Sequence, residues 1–178
     1  MARAPIPPEQ ALALATLERA ALRYLDRFDS SIENLRRVLL RHVRKHARDA
    51  DPVLVSRAEA DVDAILGRYR ASGMLNDTRY AEVIASSLRE RGGSRRAIVH
   101  RLEGRGVDRA AIDEALLLAD RDTTDAELAA ARRFARRRRL GPHRPASERP
   151  SKRDRDLGAL ARAGFSYDVA ARVLDDDQ

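Results

Sequence analysis

Leu102-Glu-Gly-Arg-Gly-Val-Asp-Arg-Ala-Ala-Ile-Asp-Glu-Ala-Leu116 has a counterpart near the end of the chain, Leu160-Ala-Arg-Ala-Gly-Phe-Ser-Tyr-Asp-Val-Ala-Ala-Arg-Val-Leu174. Leu102, Gly106, Asp108, Ile112 and Leu116 match Leu160, Gly164, Ser166, Ala170 and Leu174 at the same offsets of 4, 6, 10 and 14 residues. Each position has a physical task. The leucine packs the end of one helix, and the glycine supplies the left-handed turn that closes it. The Asp or Ser caps the next helix, and the last two positions lie on its buried face. Upstream, Gly92 and Gly141 each end a longer helix. The unit is therefore helix, glycine break, short capped helix, glycine break, short capped helix.

A first, degraded and longer copy is expected over 11–73, with no glycine before Gly67. Units of roughly fifty residues are too small for a large core of their own. They are expected to stack side by side as an elongated, curved, modular all-helical body. The organisation read from the chain is a flexible arm over 1–10, repeat 1 over 11–73, repeat 2 over 74–120 and repeat 3 over 121–178. The third repeat carries a basic run and a Pro- and Arg-rich insertion, Gly141–Pro150.

Composition points the same way. Of 178 residues, 43% are apolar in the set AVILMFWYC and 35% are charged. Ala, Leu, Arg and Glu abound, and all four favour helix. The β-branched and aromatic residues that sheets want are scarce, which argues against a sandwich or barrel. Nine helices and no strand are expected. Their buried stripes include Leu14, Leu17, Ala21, Leu25 and Phe28, then Ile32, Leu35, Leu39 and Val43, then Val55, Ala58, Val62, Ile65, Leu66 and Tyr69. Ser30 with Glu33, and Thr124 with Glu127, have the spacing of capping boxes. Asp51-Pro52, Asn76-Asp77, Ser94 and Asp108 are further helix starts. The seven aromatic residues fall almost entirely on faces expected to be buried.

The chain has no cysteine, which removes disulfides, thiolate nucleophiles and cysteine metal sites. No stretch reaches the 18 or so apolar residues of a membrane span. The first residues have neither the apolar stretch nor the cleavage site of a secretion signal, so a cytoplasmic protein without a membrane role is expected.

Catalysis finds little support. His42 and His46 stand four apart, but a zinc-protease helix would need Glu where Val43 stands, and no third ligand suggests itself. No phosphate-binding loop and no nucleophile elbow occurs. Paired acids such as Asp113-Glu114 and Asp175–Asp177 have nothing nearby to raise a carboxyl pKa. No enzyme activity, no catalytic residue, no cofactor and no metal are expected.

The net charge is +7, unevenly spread. Residues 132–155 hold eleven cations against Glu148 and Asp154, and 31–48 hold six against Glu33, while 108–127 is acidic. The clustering favours a polyanionic partner over a merely solvated surface. Guanidinium forks grip phosphate and carboxylate alike, leaving nucleic-acid backbone and acidic protein both open as targets. The candidate contact residues are Arg132, Arg133, Arg136, Arg137, Arg138, Arg139 and Arg144. A second set is Arg36, Arg37, Arg41, Arg44 and Lys45, and a third is Arg95 and Arg96, whose charge opposes the helix dipole. Phe134 continues the Leu128, Ala131 stripe and reads as core. No row of exposed aromatics suits base stacking, so contact with nucleic acid is expected to be electrostatic and sequence-nonspecific.

Several ordered segments resemble the RecX family of bacterial regulators: Ala21–Ser30, Gly73–Ala81, Arg91–Ile98, Leu102–Val107 and Leu160–Ser166. The resemblance implies an all-α fold of three tandem three-helix repeats. It also implies a non-enzymatic role: binding the RecA recombinase, free and as a nucleoprotein filament, and inhibiting strand exchange, ATP hydrolysis and the coprotease function. Family members are thought to lie in the filament groove or to block filament extension. The expected partners are RecA and DNA, mainly single-stranded and held through phosphates, with a monomer as the expected form. The alternative reading is a general, sequence-nonspecific nucleic-acid-binding helical protein.

Overall fold

The computed structural model describes residues 7–48 and 50–176. Of the arm expected at 1–10, residues 1–6 lie outside the described residues, as does Asp177 of the terminal acidic run. Ten α-helices and two 3-10 turns are present among the described residues, and no strand. The helices are α1 (Pro8–Ala11), α2 (Leu14–Leu25), α3 (Ile32–Ala47), α4 (Pro52–Ala71), α5 (Asp77–Glu90), α6 (Arg95–Glu103), α7 (Arg109–Asp120), α8 (Ala126–Arg138), α9 (Arg149–Arg162) and α10 (Tyr167–Leu174). The 3-10 turns, Gly141–His143 and Ala146–Glu148, lie between α8 and α9. The helix beyond the expected nine is α1, one turn opened by Pro8, with Ala11 buried.

The duplicated segment folds as its residues require. Leu102 and Leu160 are both fully buried, and Gly106 and Gly164 both take positive φ, 75° and 95°. Asp108 and Ser166 cap α7 and α10 by accepting from Ala110 N and Val169 N. The two expected capping boxes do not form. The cap of α3 is Ser31, one residue late, and Glu33 bonds Arg37 one turn along the helix. The cap of α8 is Asp125, and Glu127 is drawn to Arg89 and to the Arg95 amide. In both cases an arginine or a tertiary amide outcompetes the local return bond. Two aromatics expected to be buried are exposed: Phe28, past the end of α2, at 56%, and Tyr167 at 71%.

The chain divides into two compact units, Met1–Tyr80 with Arg105–Val107, and Ala81–Gly104 with Asp108–Gln178. In the first, Leu12, Leu17, Leu35, Leu39, Val43, Val62 and Ile65 make the core between α2, α3 and α4. In the second, Leu128, Ala131, Ala135, Leu160, Phe165, Ala170 and Val173 join α8, α9 and α10. The small alanines let these short helices approach closely.

Each unit contains the same latch at a helix N-terminus. In the first, Ser31 Oγ accepts from Asn34 N and donates to the Arg105 carbonyl, while the Ile32 amide donates to Asp77 at the start of α5. In the second, Ser94 Oγ accepts from Ala97 N and donates to the Ala163 carbonyl, while the Arg95 amide donates to Glu127 near the start of α8. Both turns seated this way hold a glycine with no room for a side chain. A Cβ would stand 2.5 Å from Glu33 Cβ at Gly106, and 2.5 Å from Ser94 Oγ at Gly164.

Candidate functional site

Helix α8 buries Leu128, Ala131 and Ala135 at spacings of three and four residues, which turns its arginines outward. Arg132, Arg133, Arg136, Arg137, Arg138 and Arg139 are all exposed, but they are not equally available. Arg132 pairs with Asp176 at 2.6 Å. Arg133 Nη1 donates to the Arg89 carbonyl at 3.3 Å. Arg137 and Arg138 lie 5.8 and 5.9 Å from the centre of the half-buried Phe134 ring, within cation–π range. Arg136 and Arg139 have no acidic partner among the described residues. Arg139 ends the helix in the left-handed region, with φ 55°.

Arg144 has its fork already filled. Its Nε and Nη2 donate to Asp156 Oδ2 and Oδ1 at 2.7 and 2.9 Å, and the Gly141 amide donates to the same Oδ2 at 2.9 Å. Burial would push the Asp156 carboxyl up. The bonds from Arg144 and Gly141, with the charges of Arg144 and Arg155, outweigh it and hold the carboxyl below the usual carboxylate range. Arg149 secures the same loop through the carbonyls of Arg144 and Pro142.

The second candidate set lies on α3, in the first unit. Arg36 is paired with Asp63 at 2.8 Å and Arg37 with Glu33 at 2.9 Å. Arg41, Arg44 and Lys45 are exposed. The His42 and His46 rings lie tilted at 48° with centres 4.9 Å apart, and His42 Nε2 lies 3.2 Å from the Ala11 carbonyl. Burial, then the charges of His42 and Lys45, pull His46 below the ordinary histidine range. Among the described residues no three metal-ligating side chains gather. In the third set, Arg95 pairs with Asp113 at 2.7 Å and Arg96 is exposed. The Arg95 amide is tied to Glu127, at the opposite end of α8 from Arg136–Arg139, about 15 Å away at the rise of a helix. The structure therefore does not bring these two sets together.

Two features escape a reading of charge along the chain. Arg89 is buried and forked onto Asp120 and Glu127. Arg155 and Arg162 of α9, seven residues apart and so on one helix face, line a cleft with Arg138 and Phe134 of α8. That spacing is visible in the sequence, but Arg155 is the last cation of the basic stretch 132–155 and Arg162 lies beyond it.

Comparison with known proteins places this architecture. The profile described as "RecX, second three-helix domain" matches residues 76–116, the span of α5 to α7. The regulatory protein RecX of Myxococcus xanthus is 40% identical over 164 residues, covering 89% of this chain and 84% of that protein. The chain belongs to the RecX family. The regulatory protein RecX of Agrobacterium fabrum is 31% identical over 161 residues, covering 90% of this chain and 83% of its own length. That of Halorhodospira halophila is 32% identical over 175 residues, with 95% and 94% covered. The crystal structure of RecX from Lactobacillus salivarius superposes with a TM-score of 0.58 at 19% identity, over 92% of this chain and 96% of that one. A second RecX crystal structure gives 0.57 at 22% identity, over 99% and 81%. The RecX fold of tandem three-helix repeats is thus shared where little sequence is. No helix among the described residues is long and apolar enough to cross a membrane.

Proposed function

We propose that this chain is a regulator of a RecA-type recombinase, binding it free and as a nucleoprotein filament and inhibiting its strand-exchange, ATPase and coprotease activities. Membership of the RecX family over nearly the whole chain carries the reading. No catalytic step is assigned to any residue. The contact surface is the end of α8, where Arg136 to Arg139 are exposed and Arg136 and Arg139 have no acid beside them among the described residues. Arg41, Arg44 and Lys45 offer a second surface. Changing Arg136–Arg139 to Ala and measuring inhibition of DNA-dependent ATP hydrolysis by RecA tests the assignment. Potency is expected to fall at least tenfold, and unchanged potency in a folded variant would remove the run from the interface.

The unpaired guanidinium groups also favour a second reading, a sequence-nonspecific nucleic-acid binder that needs no recombinase. It predicts equal affinity for bare and RecA-coated single strands, whereas the first reading predicts a clear preference for the coated strand.

A further inference from the structure

A cleft of about 630 Å³ between α5 and α7 shares no residue with the basic surfaces described above. Its floor is apolar: Val83 of α5 with Ala115, Leu118 and Ala119 of α7. Val83 is 53% exposed, Leu118 46%, and Leu117, the residue before it, 71%. Large apolar side chains left in water in one place mark a surface that something covers. The duplicated segment shows that the fold itself does not call for these leucines. Carried past Leu116 and Leu174, its register sets Leu117 and Leu118 against Asp175 and Asp176. Those two acids are bonded to Arg153 and Arg132, whereas the leucines meet solvent.

The rim of this cleft is acidic. Glu82, Glu90 and Asp122 line it against a single cation, Arg121, and Glu114 stands one turn before Leu118. Glu82, Glu90 and Glu114 have no ion pair among the described residues, and Asp122 has only an exposed contact with Arg121 at 3.3 Å. Glu90 ends α5 and Asp122 follows the end of α7, at the negative pole of each helix dipole. An acid there costs its helix stability, so these two carboxylates do not serve the helices that carry them. On a chain of net charge +7, the cleft is an acidic rim around an uncovered apolar floor.

We infer that this cleft docks a basic amphipathic helix of a partner protein. The apolar stripe of that helix covers Val83 and Leu118, and its flanking lysines or arginines meet Glu82, Glu90 and Asp122. Charge selects the occupant first, because the rim repels the phosphates of a nucleic acid and the carboxylates of an acidic peptide. Shape selects it next. The cleft runs between two helices, and no strand is present among the described residues for an extended segment to pair with. Such a segment would leave backbone groups unbonded in the cleft, whereas a helix brings its own satisfied. A second copy of this chain is a poorer fit. Its basic helix, α8, buries Leu128, Ala131 and Ala135 in its own core, and so offers cations without an apolar stripe. The inference goes beyond the regulator reading and stands whether or not the partner is the recombinase.

The probe is a fluorescein-labelled peptide of leucine and lysine, patterned as an amphipathic helix of about 18 residues, or five turns. It is titrated with the full chain and read by anisotropy. Saturable binding is expected, although the two molecules carry the same sign of net charge. The same leucine stripe carried on glutamates should bind about tenfold more weakly or worse. Val83→Ser with Leu118→Ser should weaken the lysine peptide about tenfold, through lost apolar contact. Glu82→Gln with Glu90→Gln should weaken it about threefold, through lost ion pairs. A control pair of exposed apolar residues in the first unit, Leu22→Ser with Met74→Ser, should leave the affinity within about twofold of the parent. Circular dichroism of each variant should match the parent, since all these side chains are exposed or half-buried. Backbone amide shifts on peptide binding should cluster at residues 82–90 and 115–122. Equal binding by the Val83/Leu118 variant, equal binding of the glutamate peptide, or shifts clustered elsewhere would overturn the site. Sedimentation of the chain alone is the last arm. A chain that stays monomeric supports a separate partner, and self-association abolished by Leu118→Ser would give the cleft to a second copy and overturn the proposal.

Discussion

Arg89 is 5% exposed and spends its whole fork inside the second unit. Nε and Nη2 meet Asp120 at 2.8 and 2.9 Å, and Nη1 meets Glu127 at 2.6 Å and the Gly93 carbonyl at 3.0 Å. Removing it leaves two carboxylates facing each other's charge, the costly half of breaking a buried pair. Arg89→Met should lower unfolding free energy by about 3 kcal/mol, read by urea denaturation. Arg89→Lys should recover little of it, because a single ammonium cannot span both acids. Tyr69 is the opposite case. Its buried hydroxyl has no partner among the described residues, so Tyr69→Phe should be neutral or stabilise by up to about 1 kcal/mol in the same measurement. The periodicity of the sequence finds the apolar stripes around both residues. It cannot find Arg89, because a stripe reading assigns every arginine to solvent. Asp156 adds a pH dependence. Its folded pKa is depressed, so its contribution to stability is present above its unfolded pKa, about 4, and is lost as pH falls through the folded value. Thermal melts of Asp156→Asn should show a shallower loss between about pH 5 and 2 than the parent.

At the level of elements, the hydroxyls of Ser31 and Ser94 each serve two helices at once. A cap alone is worth about 1 kcal/mol. Ser94→Ala also strands the Ala163 carbonyl, so about 2 kcal/mol of stability should be lost in chemical denaturation. Gly164→Ala should cost at least as much, since its φ of 95° and its closeness to Ser94 both exclude a methyl group. The caps at Asp108 and Ser166 are legible from the duplicated segment, and that at Ser94 from the Gly92-Gly93 break before it, because a glycine turn followed by a capping residue has few other uses. The capping boxes expected at Ser30 and Thr124 fail for one reason. Glu33 is drawn to Arg37 one turn along, a competing local pair, and Glu127 to Arg89 thirty-eight residues away, which local spacing cannot reveal.

For the whole molecule, the excess charge of +7 matters less than which cations are already spent. Four acids of the stretch 108–127 are spent internally: Asp113 on Arg95 and Arg109, Asp120 and Glu127 on Arg89, Asp125 on Arg172. Arg136, Arg139, Arg155 and Arg162 carry no such bond among the described residues. About four phosphates neutralised on a single strand would make log affinity fall with log salt at a slope near −3. A slope near zero, measured by anisotropy over a salt series, would assign these arginines to an acidic protein surface with few displaced ions. The basic run itself is plain in the sequence. Its partition into paired and unpaired members is not, since pairing depends on folds such as the return of Asp176 to Arg132.

The start of α9 differs from the starts of α3 and α6. Its cap position is Glu148, which makes no side-chain bond to the helix, and the amide of its first residue, Arg149, already donates to the Ala146 carbonyl. The serine and free amide that seat a glycine turn elsewhere are both missing. Tandem duplication of the α8–α10 segment would therefore add a module that is tethered but undocked. Growth of this protein by repetition is closed off at that point unless Glu148 and the 3-10 turn before α9 change first.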